Sequence, residues 1–439
     1  MNSTVTKTQL ENGMTVLLKE MHHAPVTTFM VWYRVGSRNE VPGRTGVSHW
    51  VEHMMFKGTP SFPGAAMERM ISREGGFWNA FTWLDYTAYY ETMPSDRINL
   101  ALELEADRMV NTLMESEEVE AERTVILSER AMYENQPNFL LDEELTSVAF
   151  RVHPYHHEVI GDTADLHSMT RDDLYQHYRR HYHPTNAIVV AVGDFDTADM
   201  LSRLTALYGS LQSGEPTKPI LRVEPEQPGE RRVTVNGPGD TAYLTFAYRV
   251  PGAAHEDYPA LTLLNAAFAG GSSLGMFGGG GSNRSSRLYK ALVATELAAG
   301  AYGSLTPTID PFLYSISAVV RAGRTLGEVD AALEAELARL AAEPITEAEL
   351  AKALKRARAQ FIMAGESISG QAQLIGAAEA TTGDYRWFET VLDRLEQVTL
   401  EDIERARGQY LQPHNRTVGW YQPLDDPQGG VSSDDESQE

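Results

Sequence analysis

Cysteine is absent from the 439-residue chain, which excludes disulfides, thiolate metal sites and a cysteine nucleophile. Any metal must rest on imidazole and carboxylate, and the redox compartment is left open. Positive charge is scarce: 37 Lys and Arg face 61 Asp and Glu, a formal net charge of −24. Phosphate backbones and anionic membrane surfaces are repelled on average, so no nucleic-acid partner is expected. No apolar run is long enough to cross a bilayer, and no membrane insertion is expected. The opening MNSTVTKTQLENGMTVLL has no basic region followed by an apolar stretch. The expectation is a soluble chain, cytoplasmic or periplasmic, with no visible address choosing between them.

What is present suits a globular protein. Hydrophobic residues make up 42% of the chain and aromatics 9%, enough for more than one core, and the length suggests two domains. TTFMVWYRV at 27–35 and NAIVVAVG at 186–193 are β-branched and aromatic runs bounded by turn residues, and predict strands. Apolar residues at helical spacing predict helices over 65–73, 98–114 and 116–134. In the last of these, Ser116 is expected to cap the helix, with Glu117, Glu118 and Glu120 at its positive end.

A stretch rich in proline, glycine and charge, SGEPTKPILRVEPEQPGE, predicts a linker at 212–231. It separates an N-terminal domain, 1–211, from a C-terminal one, 232–424. The acidic remainder, 425–439, lacks apolar residues and is expected to be a disordered tail. The glycine-rich segment at 270–283 reads either as a gate over a cleft or as a plain surface hairpin.

The halves also echo each other. TTFMVWYRVG from Thr27 reappears as TAYLTFAYRVP from Thr241, and SEEVEAERTVILSE around Glu118 finds a weaker echo around Glu349. On that alignment His49 and His53 fall opposite Leu263 and Ala267, and Glu129 falls opposite Gln360. A metal site in the first half would then have no counterpart in the second.

The chemistry concentrates in HWVEH at 49–53. At about 100° per residue, His49, Glu52, His53 and Phe56 share one sector of a helix, while Val47, Trp50, Val51, Met54 and Met55 take the other side. Histidines at i and i+4 are spaced to hold one zinc ion. Glu52 lies close enough to act as general base on an attacking water without being a ligand. A catalytic zinc generally takes three protein ligands. Glu129, on the helix that starts at Ser116, is the best candidate for the third, although residue type alone does not single it out among many acids. Glu122 lies two turns earlier on the same helix face, placed to orient a ligand.

These residues sit among VGSRNE (35–40), GVSHWVEHMMFKGT (46–59), WNAFTWLDYTAYY (78–90), ERTVILSE (122–129), PYHHEVIG (154–161), RHYHPTNAIVVAVGDF (180–195) and SSRLYKALV (285–293). In that order they resemble the pitrilysin or insulinase family of zinc peptidases, in its half-length branch that includes mitochondrial processing peptidase. In that family the third zinc ligand is a glutamate about 76 residues beyond the second motif histidine. Here 129 − 53 = 76, which selects Glu129.

The resemblance also implies that Glu122 is an accessory acid. Asn79 and Ala80 are implied to lie on an edge strand, where an extended peptide adds as a further strand. The implied fold is α+β, with two homologous domains, each a mainly antiparallel sheet packed with helices, forming half of a clamshell dimer. The implied activity is zinc-dependent endopeptidase action on peptides or unfolded segments inside an enclosed chamber. The alternative is a non-catalytic assembly subunit.

One departure stands out. Active relatives carry an Arg followed by Tyr just after the SSRLY region, where this chain reads ATELAAGAYGS with no Arg between Arg287 and Arg321. Tyr302 therefore lacks that companion. The implied partner is either a homologous subunit that carries the Arg-Tyr pair, or a second copy of the chain.

Overall fold

The computed structural model describes residues 4–270 and 284–424. The expectations for the tail at 425–439 and for most of the glycine-rich segment lie outside the described residues. In chain order the strands are β1 (Thr6–Gln9), β2 (Thr15–Glu20), β3 (Val26–Tyr33), β4 (Phe77–Thr82), β5 (Thr87–Pro94), β6 (Ala187–Gly193), β7 (Arg231–Gly237), β8 (Tyr243–Val250), β9 (Ala298–Leu305), β10 (Phe312–Val320) and β11 (Arg416–Pro423). The helices are α1 (Val47–Met54), α2 (Gly64–Arg73), α3 (Asn99–Asn111), α4 (Ser116–Glu134), α5 (Pro137–Ala149), α6 (Thr163–Ser168) and α7 (Arg171–His181). They continue as α8 (Thr197–Tyr208), α9 (Tyr258–Phe268), α10 (Leu326–Ala342), α11 (Glu347–Ala364), α12 (Ile368–Thr382), α13 (Arg386–Glu396) and α14 (Leu400–Tyr410).

Two sheets form, ordered β1-β2-β6-β3-β5-β4 and β7-β11-β8-β10-β9. They share one plan. β2 pairs in parallel with β6 as β7 does with β11, and every other neighbour is antiparallel. The repeated YRV triplet falls at matching places: Tyr33 pairs with Thr87 and Ala187, and Tyr248 with Tyr314 and Arg416. The fold is therefore α+β with two like halves. Residues 212–230 form neither helix nor strand.

Each sheet has one face covered by helices of its own half, and the other covered by a helix lent from the opposite half. Trp32, Met30, Ile188 and Val190 of the first sheet meet Ile368, Ala372 and Ile375 of α12. In return, Leu145 and Ala149 of α5 join Ala247 and Leu313 of the second sheet. Both crossings are close, and each has a glycine at the contact. A Cβ on Gly376 of α12 would lie 2.2 Å from Trp32 Nε1, and one on Gly419 of β11 would lie 2.8 Å from Leu141 and Leu145. An amphipathic helix must bury its apolar face. Nothing in its periodicity says which sheet receives that face.

Helix α4 begins at the expected residue but not with the expected cap. Glu115 occupies the capping position and no side-chain capping bond forms, so Ser116 is the first helical residue. The favourable charge of Glu117 and Glu118 in the first turn remains.

Candidate metal centre

Helix α1 spans only eight residues. Val47, Trp50, Val51 and Met54 are buried in the first-half core, as an apolar stripe at helical spacing requires. The opposite side carries His49, Glu52 and His53. Helix α4 packs against α1 and brings Glu129 to this face. The Nε2 atoms of His49 and His53 lie 3.8 and 3.7 Å from Glu129 Oε2. Among the described residues these three form the one cluster of ligand-type side chains able to share a metal, with the ligand atoms all within 4.8 Å of one another. A tetrahedral zinc bound at about 2.0–2.2 Å holds its ligand atoms roughly 3.4 Å apart, close to this spacing. The donor set, two imidazoles and a carboxylate, fits zinc and leaves a fourth position for water or substrate.

The electrostatics differ between the two imidazoles. Burial, followed by repulsion from His53, pushes His49 down to about 3 and keeps it neutral, the form that donates a lone pair to a metal. Its Nδ1 is buried and has no hydrogen-bond partner among the described residues. His53 Nδ1 lies 2.7 Å from Glu122 Oε1. Burial works against charge on His53, but the Glu122 hydrogen bond and the carboxylates of Glu52, Glu122 and Glu129 outweigh it and raise its pKa. Glu122 is held in turn by Lys57. Burial alone would raise its carboxyl, yet the bonds from His53 and Lys57 bring it down to about 2.

Glu52 is buried, and its Oε2 accepts a 2.7 Å hydrogen bond from Thr82 Oγ1 on β4. Burial raises its pKa and the Thr82 bond partly offsets this. Tyr133 OH donates to Glu129 Oε1 at 3.1 Å, one helical turn along α4. Sequence reasoning passed over Thr82, Lys57 and Tyr133. Thr82 lies inside the WNAFTWLDYTAYY segment, but a threonine in a strand carries no signal of the carboxylate it will meet.

Asn79 and Ala80 lie on β4, the last strand of its sheet, which pairs only with β5. Asn79 is exposed and its Oδ1 accepts from Ala80 N at 2.8 Å. In the second half, Leu263 is buried and Ala267 half-buried on α9, and Gln360 lies on α11. Tyr302 lies half-buried on β9, the edge of the second sheet. Arg287, from the SSRLY run, is committed elsewhere, in paired 2.7 Å hydrogen bonds to Glu349.

Similarity to known proteins agrees with this architecture. Residues 15–163 match the model of the insulinase family, peptidase family M16, and residues 168–357 match that of the peptidase M16 inactive domain. An uncharacterized zinc protease of Mycobacterium leprae is 29% identical over 414 residues, covering 93% of this chain and 89% of its own. A probable mitochondrial-processing peptidase subunit beta of Arabidopsis thaliana is 27% identical over 423 residues, covering 95% and 78%. The crystal structure of a protease from Helicobacter pylori superposes with a TM-score of 0.89 at 26% identity, covering 96% of this chain and all of that one. The chain belongs to the M16, or insulinase, family of zinc peptidases. No helix among the described residues is long and apolar enough to cross a membrane.

If Glu122 orients His53, then Glu122→Gln weakens zinc binding by about 10–100-fold, the usual effect of losing an outer-shell carboxylate. Competition with a chromophoric chelator measures this. Unchanged affinity in a folded variant would remove Glu122 from the site.

Proposed function

We propose that the chain is a zinc-dependent endopeptidase, with His49, His53 and Glu129 as ligands and Glu52 as general base. The observation that carries this reading is the convergence of two separated segments, α1 and α4, on one ligand triangle with a buried carboxylate beside it. When bound, zinc acidifies water and polarises a carbonyl. Glu52 takes the proton of the attacking water and delivers it to the leaving amine. Thr82 fixes the Glu52 carboxylate through its 2.7 Å bond, and Glu122 fixes the ring of His53. The substrate lies extended along the free edge of β4 at Asn79 and Ala80, bound through main-chain hydrogen bonds. Peptides and unfolded segments suit such an edge better than folded proteins.

Among its described residues the second half holds no ligand cluster, and its sequence lacks the Arg-Tyr pair, which favours a working unit of two chains. In our reading this chain supplies the metal centre, and a homologous partner supplies the pair. The zinc-loaded chain is expected to cleave an unstructured fluorogenic peptide weakly alone and strongly with such a partner, and not at all after chelation. Full activity alone would sink the partner requirement. Zinc-loaded protein inert in both settings would sink the peptidase reading and leave an assembly role.

A further inference from the structure

Helix α1 has no cap of its own. Its capping residue, Gly46, has φ +84° and no side chain, so the first-turn amides must find an acceptor elsewhere. They find it in Glu40, six residues upstream. Glu40 Oε2 accepts from Gly46 N at 2.7 Å and Oε1 from Ser48 N at 2.8 Å. The Glu40 side chain is fully buried, and the ring of His157 closes over it, with Nε2 3.0 Å from Glu40 Oε2 and 4% of the side chain exposed. The neighbouring segments VGSRNE and GVSHWVEH thus meet the distant PYHHEVIG at one carboxylate, with His157 117 positions from Glu40.

The geometry points to Glu40 and His157 as positioning residues for the metal centre. Ser48, whose amide Glu40 holds, directly precedes His49. In a helix of two turns the first turn sets the axis along which His49, Glu52 and His53 project. A buried carboxylate bonded to two amides at a helix N-terminus is a strong anchor, since such charge-assisted bonds exceed neutral ones and also match the helix dipole. His157 keeps that carboxylate in place and satisfies its remaining acceptor capacity. The role rests on the metal-centre reading proposed above, but zinc affinity reports on it even if the chain cleaves nothing.

The test compares Glu40→Gln, His157→Leu and His157→Gln. Glutamine at 40 presents one amide nitrogen where two backbone donors need acceptors. Leucine at 157 removes the ring donor, whereas glutamine reaches with its own N–H. Glu40→Gln and His157→Leu should each weaken zinc affinity about 10-fold or more and lower kcat with KM nearly unchanged, within the range for outer-shell residues. His157→Gln should restore most of both. Should Glu40→Gln fail to fold, the His157 pair decides alone. Lower melting temperature with wild-type zinc affinity and kcat in the folded variants would overturn the inference, leaving Glu40 and His157 as stabilising residues only.

Discussion

Glu52→Gln should leave zinc bound and cut peptide hydrolysis by about 10²–10⁴-fold, the contribution general acid–base catalysis ordinarily makes. The amide keeps the shape of the carboxylate and can still accept from Thr82 Oγ1, so the contact with the C-terminal end of β4 is preserved. Lost is the basic oxygen. Because Glu52 is not one of the three clustered ligand residues, metal content measured by atomic absorption should match wild type. The comparison of kcat/KM on one unstructured peptide, at equal zinc occupancy, checks the claim. A variant within tenfold of wild type would show that another group takes the proton.

Arg108→Met should cost about 3–5 kcal/mol of stability, the usual loss when one member of a buried ionic group is removed. Arg108 is wholly buried in the first-half core with two equally buried acids, Glu105 and, at 3.3 Å, Glu91. Its guanidinium also lies 4.5 Å from the ring centre of Tyr89, 5.3 Å from Phe56 and 5.6 Å from Trp78. Methionine fills much of the volume but leaves two carboxylates facing each other without a cation.

The pH dependence has a definite sign. Burial first, then the neighbouring Glu105, already raise Glu91 well above the ordinary carboxylate range. A group whose folded pKa is raised contributes most at low pH and loses that contribution as pH climbs past its unfolded value, about 4.3 for glutamate. Removing Arg108 takes away the one attraction that opposes this shift. Urea unfolding should therefore show a smaller deficit for the variant at pH 5 than at pH 8. A deficit independent of pH would mean that lost ring packing, not charge, dominates.

The chemistry of α1 was legible in HWVEH because helical period alone puts His49, Glu52 and His53 on one side and Trp50, Val51 and Met54 on the other. Likewise the strand expected at 27–35 and found at 26–33, the extent of α4 and the doubling of the YRV strand follow from patterns a few residues long. Glu129 is different. It is one of 61 acids, and only its distance from His53 in a recognised motif order set it apart. The burial of Glu91, Glu105 and Arg108 follows from what packs around them.

By itself, then, the sequence determined the local elements, the two-fold repeat, the absence of any thiolate chemistry and the metal-ligand type. Only the tertiary structure decided that α12 covers the first sheet and α5 the second. It also decided that Thr82 meets Glu52, and that His157 meets Glu40 beside the first turn of α1. The reason is range. Periodicity and capping act between residues one or two turns apart, whereas these contacts join residues 30 to more than 300 positions apart, and their partners are chosen by the shape of the folded core.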